Sequence, residues 1–214
     1  MRWVARRERA GRREKRPWYT TEVEPVDAAT FVSELGPAAL VRATRSRLPV
    51  LSDDAATFLT EIGLPRHVQL GPADLRSVLS FERLAAPLEC ARDASDRLPG
   101  IRATDWVIGE EVWRNGGAWW VLRATSDEIL RIDLEATHSV ARVAVSLAGL
   151  ATVMVALRRW SCGRIDLDSL ASVMRRAAPR TDPDTIWAAL LELLPDEGSD
   201  AFRVLTTAPD LSPR

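Results

Sequence analysis

Lysine is almost missing from this 214-residue chain: Lys15 stands alone and every other cation is arginine, a bias of base composition rather than of function. Histidine is nearly as scarce, with His67 and His138 the only near-neutral acid–base groups. Neither stands in a metal-ligand spacing such as HExxH, and neither has a neighbour in sequence that marks it as a positioned base. Cys90 and Cys162 are the only cysteines. Two such distant cysteines make neither a disulfide framework nor a zinc site, and read as buried free thiols in a reducing cytoplasm. No GxGxxG, Walker-type or GxSxG motif occurs, which removes the common signatures of nucleotide binding and acyl transfer. Basic residues open the chain without the 7–15 apolar residues of a secretory signal behind them. One run, Val140 to Leu157, has the length of a short membrane span. It carries Arg142, Ser146, Gly149 and Thr152 and runs into Arg158 and Arg159, so a strand followed by a buried helix explains it better.

What is present is ordinary in bulk and uneven in detail. Hydrophobic residues make up 46% and charged residues 28%, the balance of a soluble globular protein long enough to bury a core without staples. The formal net charge is only −1. Residues 1–16 hold seven Arg and one Lys against Glu8 and Glu14, a net of +6, which leaves −7 for the rest. Residues 1–24 read as a basic, flexible arm, or as residues ahead of the true start. Residues 25–206 read as one α+β domain and 207–214 as a frayed tail. The arm could hold nucleic acid through phosphate contacts, but no RNA-reading motif follows it, so nucleic acid is a weak candidate partner.

Local signals place the elements. Asp27 caps a helix through Leu35, ended by Gly36-Pro37, and Ala39 to Ala43 is a possible strand. Ser52 or Asp53 caps a second helix, with Phe58, Leu59 and Ile62 on one face and Gly63-Leu64-Pro65 as its stop. Residues 65–104, broken by four prolines, read as two short strands or turns in an irregular layer over the sheet, with His67 in a proline-bounded loop. Ser146 caps a helix to about Trp160. Asp166 or Asp168 caps another, with Leu170, Met174 and Ala177 on its inner side. Asp182-Pro183 opens a last helix, and Phe202 to Leu205 is a short strand.

The most informative stretch is TDWVIGEEVWRNGGAWWVLRATSDEILRIDL, residues 104–134, with four of the eight tryptophans. Trp106 to Gly109 reads as a strand, Asn115-Gly116-Gly117 as a turn, Trp119 to Arg123 as a strand and Thr125 to Asp127 as a turn. Ile129 to Leu134 reads as a strand with Leu130, Ile132 and Leu134 inward and Arg131 and Asp133 on a wet face. Another strand covers Ala141, Val143 and Val145. The Gly pair lacks the following helix that a phosphate cradle needs. Paired carboxylates at Asp53-Asp54, Glu110-Glu111 and Asp127-Glu128 would suit a small hydrolase if two faced each other across a cleft, but neighbours on a strand diverge. Trp119 and Trp120 must point to opposite faces, so one is core and the other meets solvent, a covering layer or a partner. The stretch therefore suggests a binding surface before an enzyme. Its interface candidates are Trp113, Trp119, Trp120, Glu110, Glu111 and Asp127; no catalytic, metal-ligating or cofactor-binding residue stands out.

The helix ATFLTEIGLP and the strands WVIGEE, AWWVLRA and EILRIDL, followed by VARVAVSLAGL and the distal DPDTIWAALLELL, resemble the SUKH superfamily of immunity proteins. The fourth subfamily, common in actinobacteria, is the closest match, over about Ala28 to Leu194. The chain departs from it where the family often has Asn-Ser-Ser before a helix; here Ala144-Val145-Ser146 keeps only the capping Ser. The Ser126-Asp127 region replaces a turn glycine of the family. The resemblance implies an α+β fold with a central antiparallel sheet flanked by helices. It also implies a cytoplasmic, non-enzymatic protein that neutralises a cognate polymorphic toxin, often a nuclease or deaminase, by occlusion. A SUKH-like scaffold or regulatory adaptor with a non-toxin partner is the alternative, and the carboxylate hydrolase the third.

Overall fold

A computed structural model describes residues 26–71, 77–91, 100–113, 116–134, 140–177 and 202–207, together with Leu191 and Leu194. The basic arm, His138, Asn115 and the Asp182-Pro183 helix start lie outside the described residues.

Cap chemistry sets where the helices begin. Helix α1 (Ala28–Leu35) starts where Asp27 Oδ1 accepts from the Thr30 N–H at 2.7 Å, and stops at Gly36, whose φ of 86° suits a residue without Cβ. Helix α2 (Asp53–Thr57) is capped by Ser52, whose Oγ accepts from the Ala55 N–H at 3.0 Å. A π-helical turn, Phe58–Ile62, continues it. Gly63 ends that turn with φ 84°; a Cβ there would stand 2.3 Å from the Val41 carbonyl oxygen. Helix α3 (Leu147–Ser161) is capped by Ser146 through Gly149 N–H at 3.1 Å, and α4 (Leu167–Ala177) starts where Asp166 accepts from Ser169 N–H at 2.8 Å. Each such cap contributes about 1 kcal/mol. No helix among the described residues is long and apolar enough to cross a membrane.

The strands are β1 (Leu40–Val41), β2 (Leu64–Pro65), β3 (His67–Leu70), β4 (Ser77–Ser80), β5 (Glu89–Cys90), β6 (Trp106–Trp113), β7 (Gly116–Leu122), β8 (Ile129–Asp133), β9 (Val140–Ala144) and β10 (Phe202–Leu205). β1 and β2 pair with each other. The rest form one antiparallel sheet in the order β10-β3-β4-β6-β7-β8-β9, with β5 beside the start of β6. The fold class is α+β with a large antiparallel sheet, as expected.

Both faces of the sheet are covered. One side holds the main core: Trp120, Leu122, Ile129 and Val143 pack with Phe31, Leu59 and the apolar stripe of α3 from Leu147 to Trp160. On the other side Val107, Val121, Leu130 and Ile132 pack with Ala91 and Ile101. The expected short strands do occur within residues 65–104, but β3 and β4 lie inside the sheet, between β10 and β6, rather than in a layer over it. HVQL alternates polar and apolar residues over only four positions, too few to outweigh the prolines around it; all four are buried, and His67 sits in β3 at 2% exposure rather than in a loop. β6 runs four residues past Gly109. Gly116 and Gly117 lie inside β7, opposite Trp113 and Val112, instead of forming the turn. The cysteines are free, yet Cys90 is half-buried and Cys162, just past α3, is exposed.

Candidate functional site

The hairpin β6–β7 gathers most of the residues singled out in the sequence, and a bulge decides which way they face. Trp106 and Val107 pair with Leu122 and Val121; Gly109 then pairs with Trp120, so Ile108 is the extra residue. Past the bulge, Gly109, Glu111 and Trp113 share the main-core face with Trp120, while Glu110 and Val112 share the opposite face with Trp119. Gly109 is required: a Cβ there would lie 2.8 Å from Phe81 Cδ1. The Phe81 ring fills that space and meets Trp120 edge-on, with ring centroids 6.0 Å apart.

Trp120 is fully buried and Glu111 is 5% exposed, so these two candidates present no side-chain surface to a partner. They organise the interior. Glu111 Oε2 accepts from Trp120 Nε1 at 3.1 Å and from Arg131 Nε at 2.7 Å. The Arg131 guanidinium lies 5.0 Å above the ring of Trp113, and its Nη1 is 3.9 Å from Asp133 Oδ2. The face of β8 that carries Arg131 and Asp133 is therefore the core face, and both charges are only partly exposed. The wet face expected for that strand is a sheltered ion network.

Asp127 plays a different part. It holds φ 57° at the end of the β7–β8 turn, and its Oδ2 accepts from Ser52 Oγ at 2.7 Å. It ties that turn to the start of α2, away from the hairpin end. Asp53 and Asp54 are exposed in the first turn of α2. Glu128 receives Arg123 at 2.9 Å. Asp127 and Glu128 thus turn to different partners, and Glu110 and Glu111 stand on opposite faces.

Glu110, Trp119 and Val112 remain on the outer face at the hairpin end. Glu110 and Glu89 share Arg83, with Arg83 Nη1 at 2.9 Å from Glu89 Oε2 and Nη2 against Glu110. Burial works to lower the pKa of Arg83, but its hydrogen bonds to Glu110 and Glu89 outweigh burial and hold it above the ordinary value. Trp119 is half-buried against the second core, directly across from Glu110. Val112 is 46% exposed and Leu134 is 37% exposed. Leu134 continues β8, its N–H donating to the Gly117 carbonyl at 3.0 Å. Val112, Trp119 and Leu134 thus surround Gly117 as an apolar patch with Glu110 on its border. Leu134, expected inward with Leu130 and Ile132, lies just past the end of β8 and stays exposed, and Val112 escaped the sequence reading because a lone apolar residue near a strand end carries no signal until register is known.

A model of the SUKH-4 immunity protein family matches residues 26–193, and the chain belongs to that family. Membership implies a function in immunity to a toxin. No curated protein and no solved structure matches it.

Proposed function

We propose that the chain protects a cell by binding a cognate toxin of the nuclease or deaminase class and covering its working surface, with no chemistry of its own. Family membership over residues 26–193 carries this reading. The contact surface is the hairpin end of the sheet: Trp119, Val112 and Leu134 supply the apolar centre, Glu110 the acidic rim, and Trp113 the flank where its ring covers Arg131. An apolar centre with a polar rim is the usual anatomy of a specific interface. The net charge of −7 after residue 16 favours a basic partner and speeds its approach. Trp120, Glu111 and Asp127 hold the surface in shape. Binding takes place in the cytoplasm, where such a toxin would act on the producing cell.

The toxin domain encoded beside this chain's gene is the reagent for the test. Co-expression should relieve its toxicity, and the two proteins should co-elute on gel filtration. Trp119→Ala should weaken the complex about 30-fold, the loss expected of a tryptophan hot spot worth at least ~2 kcal/mol. A neighbouring toxin that is neither bound nor neutralised defeats the proposal, and stable capture of a non-toxin neighbour would replace it with an adaptor role.

A further inference from the structure

The apolar patch has a hole in its centre. Gly117 is flanked on one side by Val112, its register partner on β6, and on the other by Leu134, which bonds to its carbonyl. Trp119, two residues along β7, closes a third side on the same face. Among the described residues, a Cβ built on Gly117 meets a single atom within 4 Å, the Glu111 carbonyl oxygen at 3.2 Å. Neighbouring strands lie about 5 Å apart, so the missing side chain leaves a depression one side chain wide with apolar walls.

The border of the depression carries excess negative charge. Glu110 lies two residues from Val112 on the same face and directly across from Trp119. Glu110 and Glu89 both bind Arg83, so this cluster holds two carboxylates against one guanidinium. Glu89 is largely exposed, with 73% of its side chain accessible. A partner that fits both features must bring a large apolar side chain and a cation next to it.

We infer that the depression over Gly117 is a socket for one bulky apolar side chain of the toxin, Leu, Met or Phe in size, with an adjacent Arg or Lys that joins Glu110 and Glu89. This deepens the toxin-binding reading and rests on it. The socket gives specificity by shape, because a flat or small residue leaves it empty and a charged one meets apolar walls. The acidic border selects the basic neighbour and makes association sensitive to salt.

Titration calorimetry of the full chain with the neighbouring toxin domain, at 50 and 300 mM salt, tests the inference. Gly117→Leu fills the socket and should raise Kd at least 30-fold. Val112→Arg, at an exposed position that folding tolerates, should raise it at least tenfold and so covers the case in which Gly117→Leu fails to fold. Glu89→Gln should raise Kd about threefold at 50 mM salt and have little effect at 300 mM. Wild-type affinity for folded Gly117→Leu and for Val112→Arg, while Trp119→Ala still weakens the complex, would overturn the socket and leave the toxin-binding reading standing. Absence of binding by the wild-type chain would overturn both.

Discussion

Replacing Glu111 with alanine should destabilise the protein more than any surface change at the same hairpin. The carboxylate is 5% exposed and accepts from both Arg131 and Trp120 through one oxygen. Its loss leaves the Arg131 guanidinium, with 17% of the side chain exposed, without its nearest counter-charge. Breaking a buried pair in this way costs about 3–5 kcal/mol. The lower end applies, because Arg131 keeps some solvent and Asp133 at 3.9 Å screens part of its charge. The acceptor lost by the Trp120 indole adds about 1 kcal/mol. The sum, about 4 kcal/mol, corresponds to a fall in Tm of roughly 8–16 °C for a chain of this size. Urea unfolding followed by tryptophan fluorescence measures it directly. A double variant, Glu111→Leu with Arg131→Met, removes both charges and should return to within about 1 kcal/mol of wild type, since apolar replacement of a whole buried pair is close to neutral. A loss below 1 kcal/mol for Glu111→Ala, or a double variant no more stable than the single one, would refute the buried-network reasoning.

Two further changes probe other parts of the fold. Gly109→Ala should cost about 1–3 kcal/mol by overpacking, because its Cβ would meet Phe81 at 2.8 Å; a shifted Trp120 emission would report the displaced ring. Glu34, on α1, binds Arg164 and Arg159 across to the end of α3. The Arg164 hydrogen bond, followed by that of Arg159, holds its carboxyl below the ordinary glutamate value of about 4.3 despite burial. A depressed folded pKa means that the contribution is complete above the ordinary value and is lost as pH falls through the folded one. Stability should therefore be flat near neutral pH and decline below about pH 4.3, and Glu34→Gln should flatten part of that decline in acid titrations of Tm.

Local chemistry was legible from the residues. Asp27 and Ser146 announce helix starts by a side chain that satisfies a free N–H, and of the pairs Ser52 or Asp53 and Asp166 or Asp168 the structure uses the first of each. Opposed orientations for Trp119 and Trp120 follow from strand geometry alone. Long-range pairing was not legible. HVQL alternates for only four residues and SVLS does not alternate at all, and the prolines around them read as loop. EILRIDL displays a polar side through Arg131 and Asp133, but nothing within that segment says that Glu111, from another strand, lets the polar side be buried. The socket depends on register, which sets Val112, Gly117 and Leu134 side by side from three separate runs.

The position of β10 bears on the order in which the molecule assembles. From β6 to β9 each strand pairs with the next, joined by short connections that close quickly. β10 instead meets β3, with Leu70 opposite Phe202 across 132 residues. Its docking therefore waits until nearly the whole described fold has been synthesised and collapsed. Until then β3 presents an unpaired edge, the kind of surface that invites pairing with another chain. The hairpin that forms the proposed contact surface belongs to the meander of sequential strands and is synthesised long before. A nascent chain that displays its binding surface while one flank is open would gain from early capture by its partner, and a chain released without β10 would be prone to aggregate through β3.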